Sequence, residues 1–236
     1  MADILMTAPM VLATLSGSKT QTRRIVKPQP PAAHSWAGWC LHSTHKPDEG
    51  KATWAAGTGP LLCDVRRVGC PYGRPGDLIR VRETFYAWGR WETRFSAKKG
   101  RDEWHFVDMT LECGKAYVYA ADGQPEGYTR QKRGGVTPGW WKRPAIFMPA
   151  VASRLTLQVT AIRVERLRAI SDADAVAEGI GLNPSAEGVP MTLPLGASVC
   201  RAAFRSLWES INGADSWAAN PWVWVVSFKR LEGTHA

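Results

Sequence analysis

A chain of 236 residues that is 44% hydrophobic and 22% charged has the balance of a soluble globular protein, with length for one elaborated domain or two small ones. Its formal charge of +9, with 13 Lys and Arg against 8 Asp and Glu in residues 80–145, favours partners that carry phosphate. No apolar run is long enough to span a membrane, and Met1-Ala2-Asp3-Ile4 lacks the basic start of a secretory leader, so the expectation is a cytoplasmic protein with no membrane partner.

Five cysteines, an odd number, then read as reduced thiols rather than a disulfide framework. Twelve tryptophans, with five Tyr and six Phe, offer flat apolar faces that fill a core, line an interface or stack on bases.

Thr7-Ala8-Pro9 predicts a helix start with Thr7 as cap, Met10, Leu12 and Leu15 inward and Gly17 as the stop. Thr20 to Val26 predicts a strand that puts Thr20, Thr22 and Arg24 on one face and Gln21, Arg23 and Ile25 on the other. Lys19 has the opposite parity to Thr22 and meets it only from a turn ahead of the strand, where its long stem reaches round. The stretch from Gly17 to Arg24 therefore concentrates a lysine, hydroxyls and two guanidinium groups. Arginine supplies a rigid fork for phosphate or carbonyl oxygens, and lysine a movable charge whose pKa falls on burial.

Between Pro28 and about Gly76 the periodicity is lost and Pro, Gly, Ala, His and Ser accumulate, which predicts an irregular insertion. Cys40, His42, His45, Cys63 and Cys70 fall within it and raise a zinc site. Their intervals match no common zinc module and include no Cys-x-x-Cys, so scattered thiols and loop histidines are the better reading. After the Pro75-Gly76-Asp77 turn, Leu78 to Glu83 alternates as a strand with Arg80 and Arg82 on one face.

A second excursion, polar and aromatic, runs from Ala87 to Pro144 with a strand candidate at Ala116 to Ala121. It includes Gln131-Lys132-Arg133-Gly134-Gly135 and Trp140-Trp141-Lys142-Arg143. Cations beside indoles either hold phosphates and stack bases, or form a solvated loop pinned by a buried tryptophan.

Arg154 to Val159 alternates cleanly and slips by one near Thr160-Ala161, as a bulge would cause, before Ile162 and Val164. Ser171 caps a short predicted helix through Ala173, Val176 and Ala177 that stops at Gly179. Glu178 is left on its final turn, poorly placed for the helix dipole, which suggests a job for it. Val199, Ala203, Phe204, Leu207, Trp208 and Ile211 recur at helical spacing and predict a core-facing helix ended by Gly213. Trp222 to Phe228 is apolar on both faces and predicts a central strand. Many strands with few helices argue an α+β fold, a small barrel or strongly curved sheet flanked by short helices. Glycine-rich phosphate loops and Gly-x-Ser-x-Gly are absent.

Four segments in order carry a resemblance: Gly17 to Arg24; Cys70-Pro71-Tyr72-Gly73-Arg74-Pro75-Gly76-Asp77 with Val81-Arg82-Glu83-Thr84; Met148-Pro149 with Ala152-Ser153-Arg154; and Asn220-Pro221-Trp222-Val223-Trp224-Val225. Together they resemble an ASCH domain of the PUA-like superfamily, in particular the long ASCH-like proteins of phages and prophages. The resemblance implies one PUA-like domain over residues 1–236, with insertions at about 28–76 and 87–144. The family pattern Gly-x-Lys-x-x-Glu-x-Arg is met by Gly17, Lys19 and Arg24, while Thr22 stands where the glutamate is usual. Small bacterial ASCH proteins that hydrolyse N4-acetylcytidine are similar here, with Lys and Thr at the same spacing and a glutamate on a later short helix. Ile170-Ser171, Ala175 and Glu178 keep the intervals of that helix.

What the resemblance implies is a hydrolase of an acylated or otherwise modified nucleobase, with Lys19, Thr22 and Glu178 as catalytic residues. Lys19 would deprotonate Thr22 or a water, and Glu178 would manage the proton on the leaving nitrogen. Arg24 would orient a carbonyl or phosphate, with Arg23, Thr20, Arg82 and Glu83 as further substrate contacts. The scheme needs no cofactor and no metal, and its partner is a modified nucleoside or nucleic acid, RNA or DNA. The rival is a non-catalytic module that binds nucleic acid or a modified base, in which Lys19 and Arg24 only hold phosphates or base edges. A nuclease would need metal-binding carboxylates that do not cluster in the sequence.

Overall fold

The computed structural model describes residues 1–57, 63–130, 137–180 and 198–231, so the basic stretch Gln131 to Gly135 lies outside the described residues. Within them the chain is mostly β-sheet with few helices, a sheet-rich α+β fold. The elements are β1 (Ala2–Leu5), α1 (Ala8–Leu15), β2 (Gln21–Ile25), β3 (Ser35–Trp39), β4 (Ala52–Ala56), β5 (Cys63–Val68), β6 (Leu78–Arg82), β7 (Phe85–Ser96) and β8 (Arg101–Asp108). They continue with β9 (Val118–Tyr119), β10 (Gly139–Arg143), β11 (Thr156–Arg166), α2 (Asp172–Ala177), α3 (Val199–Asn212) and β12 (Trp222–Leu231). Three sheets run in the orders β1-β6-β11-β12-β2, β10-β7-β8 with β9 also on β7, and β3-β4-β5. Each has edge strands, and the described strands close no barrel. No helix among the described residues is long and apolar enough to cross a membrane.

The chain divides into two compact units, the first made of Met1–Ala2, Ala13–Ile79 and Leu157–Glu232. In this unit β12 pairs antiparallel with β2, Trp224 opposite Arg24 and Val226 opposite Thr22. Its alternation explains why the strand is apolar on both faces. Val223 and Val225 join Leu167, Ile170, Ala175, Cys200, Phe204 and Trp208 in a core beneath α2 and α3. Trp224 faces the other way and packs on Trp39 and Trp54, ring centroids 6.1 and 6.3 Å apart.

The two helices carry the signals their sequences predict. Ser171 and Asp174 form a reciprocal capping box on α2, which satisfies backbone donors at that end. On α3, Ser198 caps the start, Gly213 ends the helix, and the buried stripe is Cys200, Phe204 and Trp208. Val199 and Ile211, expected inward, are exposed because they lie off that i, i+4, i+8 stripe.

The segment from Pro28 to Gly76, expected to be irregular, contains β3, β4 and β5 instead. Its strands are built from tryptophans and small residues: Trp36 lies opposite Trp54, and a register shift between Trp36 and Gly38 breaks the period that sequence reading depends on. The five thiols and imidazoles there gather no metal site among the described residues. Burial pushes the Cys70 thiol up to about 11, so it stays neutral, and the Cys63 side chain lies outside the described residues.

Among the described residues, the second unit comprises Asp3–Leu12 and Arg80–Thr156. Here too the described part of the excursion expected after Ala87 forms regular structure, a long β7–β8 hairpin with β10 on the other edge of β7. The Ala116 to Ala121 strand shortens to Val118–Tyr119. Its core is Phe85, Ala87, Met148 and Ala152, with Phe106, Tyr117 and Tyr119 packed against them. Gly89 is required by close approach, since a Cβ there would lie 2.0 Å from the Val107 carbonyl oxygen. Gly89→Ala is expected to cost at least about 2 kcal/mol by forcing the hairpin apart, read as a lower midpoint in urea unfolding. An unchanged midpoint would contradict the packing of β7 on β8.

Candidate active site

Lys19 lies between α1 and β2, where the chain has turned at Gly17. Backbone hydrogen bonds fix it there: Lys19 N–H donates to the Ala13 carbonyl, and Thr20 N–H to that of Ala177. An isolated antiparallel bridge joins Lys19 to Glu178, so two residues 159 positions apart are held side by side. Gly179 makes this approach possible. Its φ is +88°, and a Cβ would lie 3.0 Å from Ala13 Cβ and 3.1 Å from Lys19 Cβ.

The Lys19 side chain is fully buried, and Nζ donates to Glu178 Oε2 and to the Glu178 carbonyl, both at 2.8 Å. Burial lowers the Lys19 pKa from its ordinary 10.5, since a buried ammonium loses its hydration. The Glu178 carboxylate acts against that shift, while the charges of Arg24 and Arg23 add to it.

Glu178, 4% exposed at its side chain, is held on its other oxygen by Arg23 Nη1 at 3.4 Å. Arg23 is likewise fully buried, and Nη2 donates to Asp174 Oδ2 at 2.9 Å and Glu165 Oε2 at 3.2 Å. Arg163 on β11 closes the network from outside, pairing with Glu165 at 2.8 Å and Asp174 at 3.0 Å. Gln21 Nε2 donates at 3.1 Å to Asp174 Oδ1, the same oxygen that accepts from Arg163. Three cations thus balance three carboxylates.

Asp174 would be raised by burial alone. The Gln21 hydrogen bond, the Arg23 charge and the Arg163 and Ser171 hydrogen bonds outweigh that and hold it well below the ordinary carboxylate range. A depressed folded pKa contributes stability that is present above the unfolded value of about 3.8 and is lost as pH falls below it. Asp174→Asn is therefore expected to lower stability at pH 7 and to flatten the loss between about pH 5 and pH 2 in urea unfolding. A wild-type acid limb retained by the variant would contradict this assignment.

The other predicted site residues are placed as follows. Thr22 is buried on the opposite face of β2 from Arg23, with Arg24 and beside Val226 and Trp224 of β12. No hydrogen bond joins its hydroxyl to Lys19 or Glu178 among the described residues. Arg24 is half-buried and close enough to Tyr72 for its charge to oppose the rise that burial causes in that phenol. Thr20 is exposed. Arg82 and Glu83 belong to the second unit. There Arg82 pairs with Asp3 at 3.1 Å, and buried Glu83 takes a two-point bond from Arg154 at 2.9 and 3.2 Å.

Asp174, Glu165, Arg163 and Gln21 are absent from the sequence-derived site. One signal was available: Asp174 stands three residues after Ser171, the capping-box spacing that fixes its carboxylate at the start of α2. Arg163 and Glu165 share a strand face by parity alone. Nothing in the sequence links that face to β2.

Comparison with protein families, with curated proteins and with solved structures finds no match to this chain.

Proposed function

We propose that this protein is a PUA-like, ASCH-type hydrolase that removes an acyl group from the exocyclic amine of a modified cytosine base. The observation that carries the reading is the buried Lys19–Glu178 hydrogen bond of 2.8 Å, made by a lysine whose pKa burial lowers. Such a pair holds one proton in a short bond between an amine and a carboxylate, which is the equipment of acid–base catalysis. The ASCH resemblance adds the substrate class, and the sheet of β1, β6, β11, β12 and β2 would be its PUA-like core.

The proposed step balances with water alone. The shared proton moves from Lys19 Nζ to Glu178 Oε2, leaving a neutral amine beside a carboxylic acid. Lys19 then takes a proton from water as the water oxygen bonds to the acyl carbon. Glu178 delivers its proton to the exocyclic nitrogen as the C–N bond breaks, releasing a carboxylic acid and the free aminopyrimidine. Lys19 ends as the ammonium and Glu178 as the carboxylate, which is the resting pair. Arg23 positions Glu178 without touching substrate, and Arg24 on the other face of β2 would steer a carbonyl or phosphate.

Water serves as the nucleophile because Thr22 makes no hydrogen bond to Lys19 among the described residues. Thr22→Ala is therefore expected to retain most of the activity. The test is mass-spectrometric turnover of acylated nucleosides, free and within short oligonucleotides. Deacylation of at least one member supports the reading, and intact substrate throughout refutes it.

The complete burial of the Lys19 side chain favours a second reading. In it the ion pair is a cross-link between the end of α2 and the start of β2, and the protein binds a modified base or nucleic acid without turnover. A salt-sensitive oligonucleotide complex with no deacylation would establish it.

A further inference from the structure

The second unit carries a cavity of about 750 Å3 lined by Thr84, Tyr86, Gln124, Tyr128, Arg130, Trp141, Lys142 and Pro144. Among the described residues, two cations and three aromatic residues line it, and no carboxylate does. Arg130 and Lys142 are exposed and form no ion pair among the described residues. Unneutralised charge of one sign in a concave site focuses the field on an incoming anion.

The strand register extends this chemistry beyond the cavity. Tyr86 lies opposite Lys142 and Trp88 opposite Trp140, so by the two-residue period all four side chains share one face of the β7–β10 ladder. Tyr128 packs edge-on against Tyr86 at 4.9 Å, and Trp88 against Trp140 at 5.6 Å. Lys115 Nζ sits 4.5 Å from the centre of the Trp88 ring and 5.8 Å from that of Trp140. The result is a strip on which rings alternate with the cations Arg130, Lys142 and Lys115. Tyr86 is 1% exposed and lines the cavity, and its hydroxyl makes no hydrogen bond among the described residues.

We infer that this strip binds a single-stranded nucleic acid segment, with phosphates on Arg130, Lys142 and Lys115 and bases against the rings. Flat rings interleaved with cations suit a chain in which every unit carries both a π-face and a negative charge. An acidic peptide would satisfy the cations and leave the rings unused. The Thr84 hydroxyl, the Gln124 amide and the Tyr86 hydroxyl supply donors and acceptors for base edges. This inference does not depend on the Lys19–Glu178 reading.

The test is fluorescence anisotropy of labelled 12-residue oligouridylate and oligothymidylate with the full chain, from 50 to 200 mM salt. The double variant Arg130→Gln/Lys142→Gln should weaken binding about tenfold or more and reduce the salt slope by about 1.4, the share of two phosphates on a single strand. Tyr128→Ala should weaken binding with the slope unchanged, since stacking releases no counterions. The control Arg90→Gln/Lys98→Gln removes the same charge from exposed positions on the β7–β8 hairpin and should leave the affinity within about twofold. Equal weakening by the control would overturn the inference, as would the absence of oligonucleotide binding. Competition by oligoglutamate as effective as by unlabelled oligonucleotide would overturn it in favour of an acidic peptide. Uridine monophosphate binding as tightly as the 12-mer would overturn it in favour of a free nucleotide.

Discussion

Replacing Lys19 by Met is expected to reduce deacylation by about a hundredfold or more while the chain stays folded, the scale on which positioned acid–base groups act. Met preserves the length and apolar stem of the lysine, so the buried volume is filled. Glu178 loses its donor at 2.8 Å but keeps the Arg23 contact at 3.4 Å, so its charge is not left alone. Desolvation of the ammonium is also relieved, which offsets part of the lost hydrogen bonding. Turnover is measured at matched folded fraction, checked by circular dichroism. A folded Lys19→Met protein with near-normal rates would remove Lys19 from the mechanism. The pH dependence supplies an independent sign. Because the step uses the one proton that the pair shares, the wild-type rate should fall as Lys19 loses it, and because burial depresses the Lys19 pKa the fall should begin below the ordinary lysine value of 10.5.

Arg23→Leu is expected to be the most destabilising single change in the first unit. Arg23 is fully buried and, among the described residues, is the one cation that touches all three carboxylates, Glu165, Asp174 and Glu178. Its removal leaves Asp174 and Glu165 with Arg163 and leaves Glu178 with Lys19, but takes the charge from the centre of a desolvated cluster. Breaking a buried ion pair from one side costs about 3–5 kcal/mol, a melting-temperature drop on the order of 10 °C for a chain this long. The Phe204 ring, 6.0 Å from the guanidinium, loses its cationic neighbour as well. Thermal unfolding by circular dichroism measures this directly. A drop of only a degree or two would show that the network is loosely coupled. Adding Asp174→Asn should recover part of the loss, because it removes one of the carboxylates that Arg23 neutralises.

Local signals in the sequence found the helices and the principal strands because capping and periodicity are local physics. Ser171 and Gly213 bound helices where the chain says they should, and Trp222 to Phe228 is buried on both faces because α2 and α3 cover one side and tryptophans the other. The segments that carry β3 to β5 and β7, β8 and β10 were hidden for a different reason. Their strands are made of Trp, Gly, Ala and charged residues, and the register shift at Gly38 spoils the alternation.

At the site, sequence spacing places Lys19 ahead of β2 and Glu178 at the end of α2, but only the fold shows them within 2.8 Å. Arg23 illustrates the limit of reading a basic patch. Beside Arg24 it looks like a second ligand contact, yet strand parity turns it inward to three carboxylates while Arg24 turns to the opposite face. Two of those carboxylates, Glu165 and Asp174, are more than 140 residues away in the chain, and no local pattern marks them as partners.

The most direct measurement of the central claim is deacylation of N4-acetylcytidine by the wild-type protein in water enriched in oxygen-18, with products resolved by mass spectrometry. Amide hydrolysis through Lys19 and Glu178 predicts oxygen-18 in the released acetate and unlabelled cytidine. Unreacted substrate, or labelled uridine with acetamide, would contradict it.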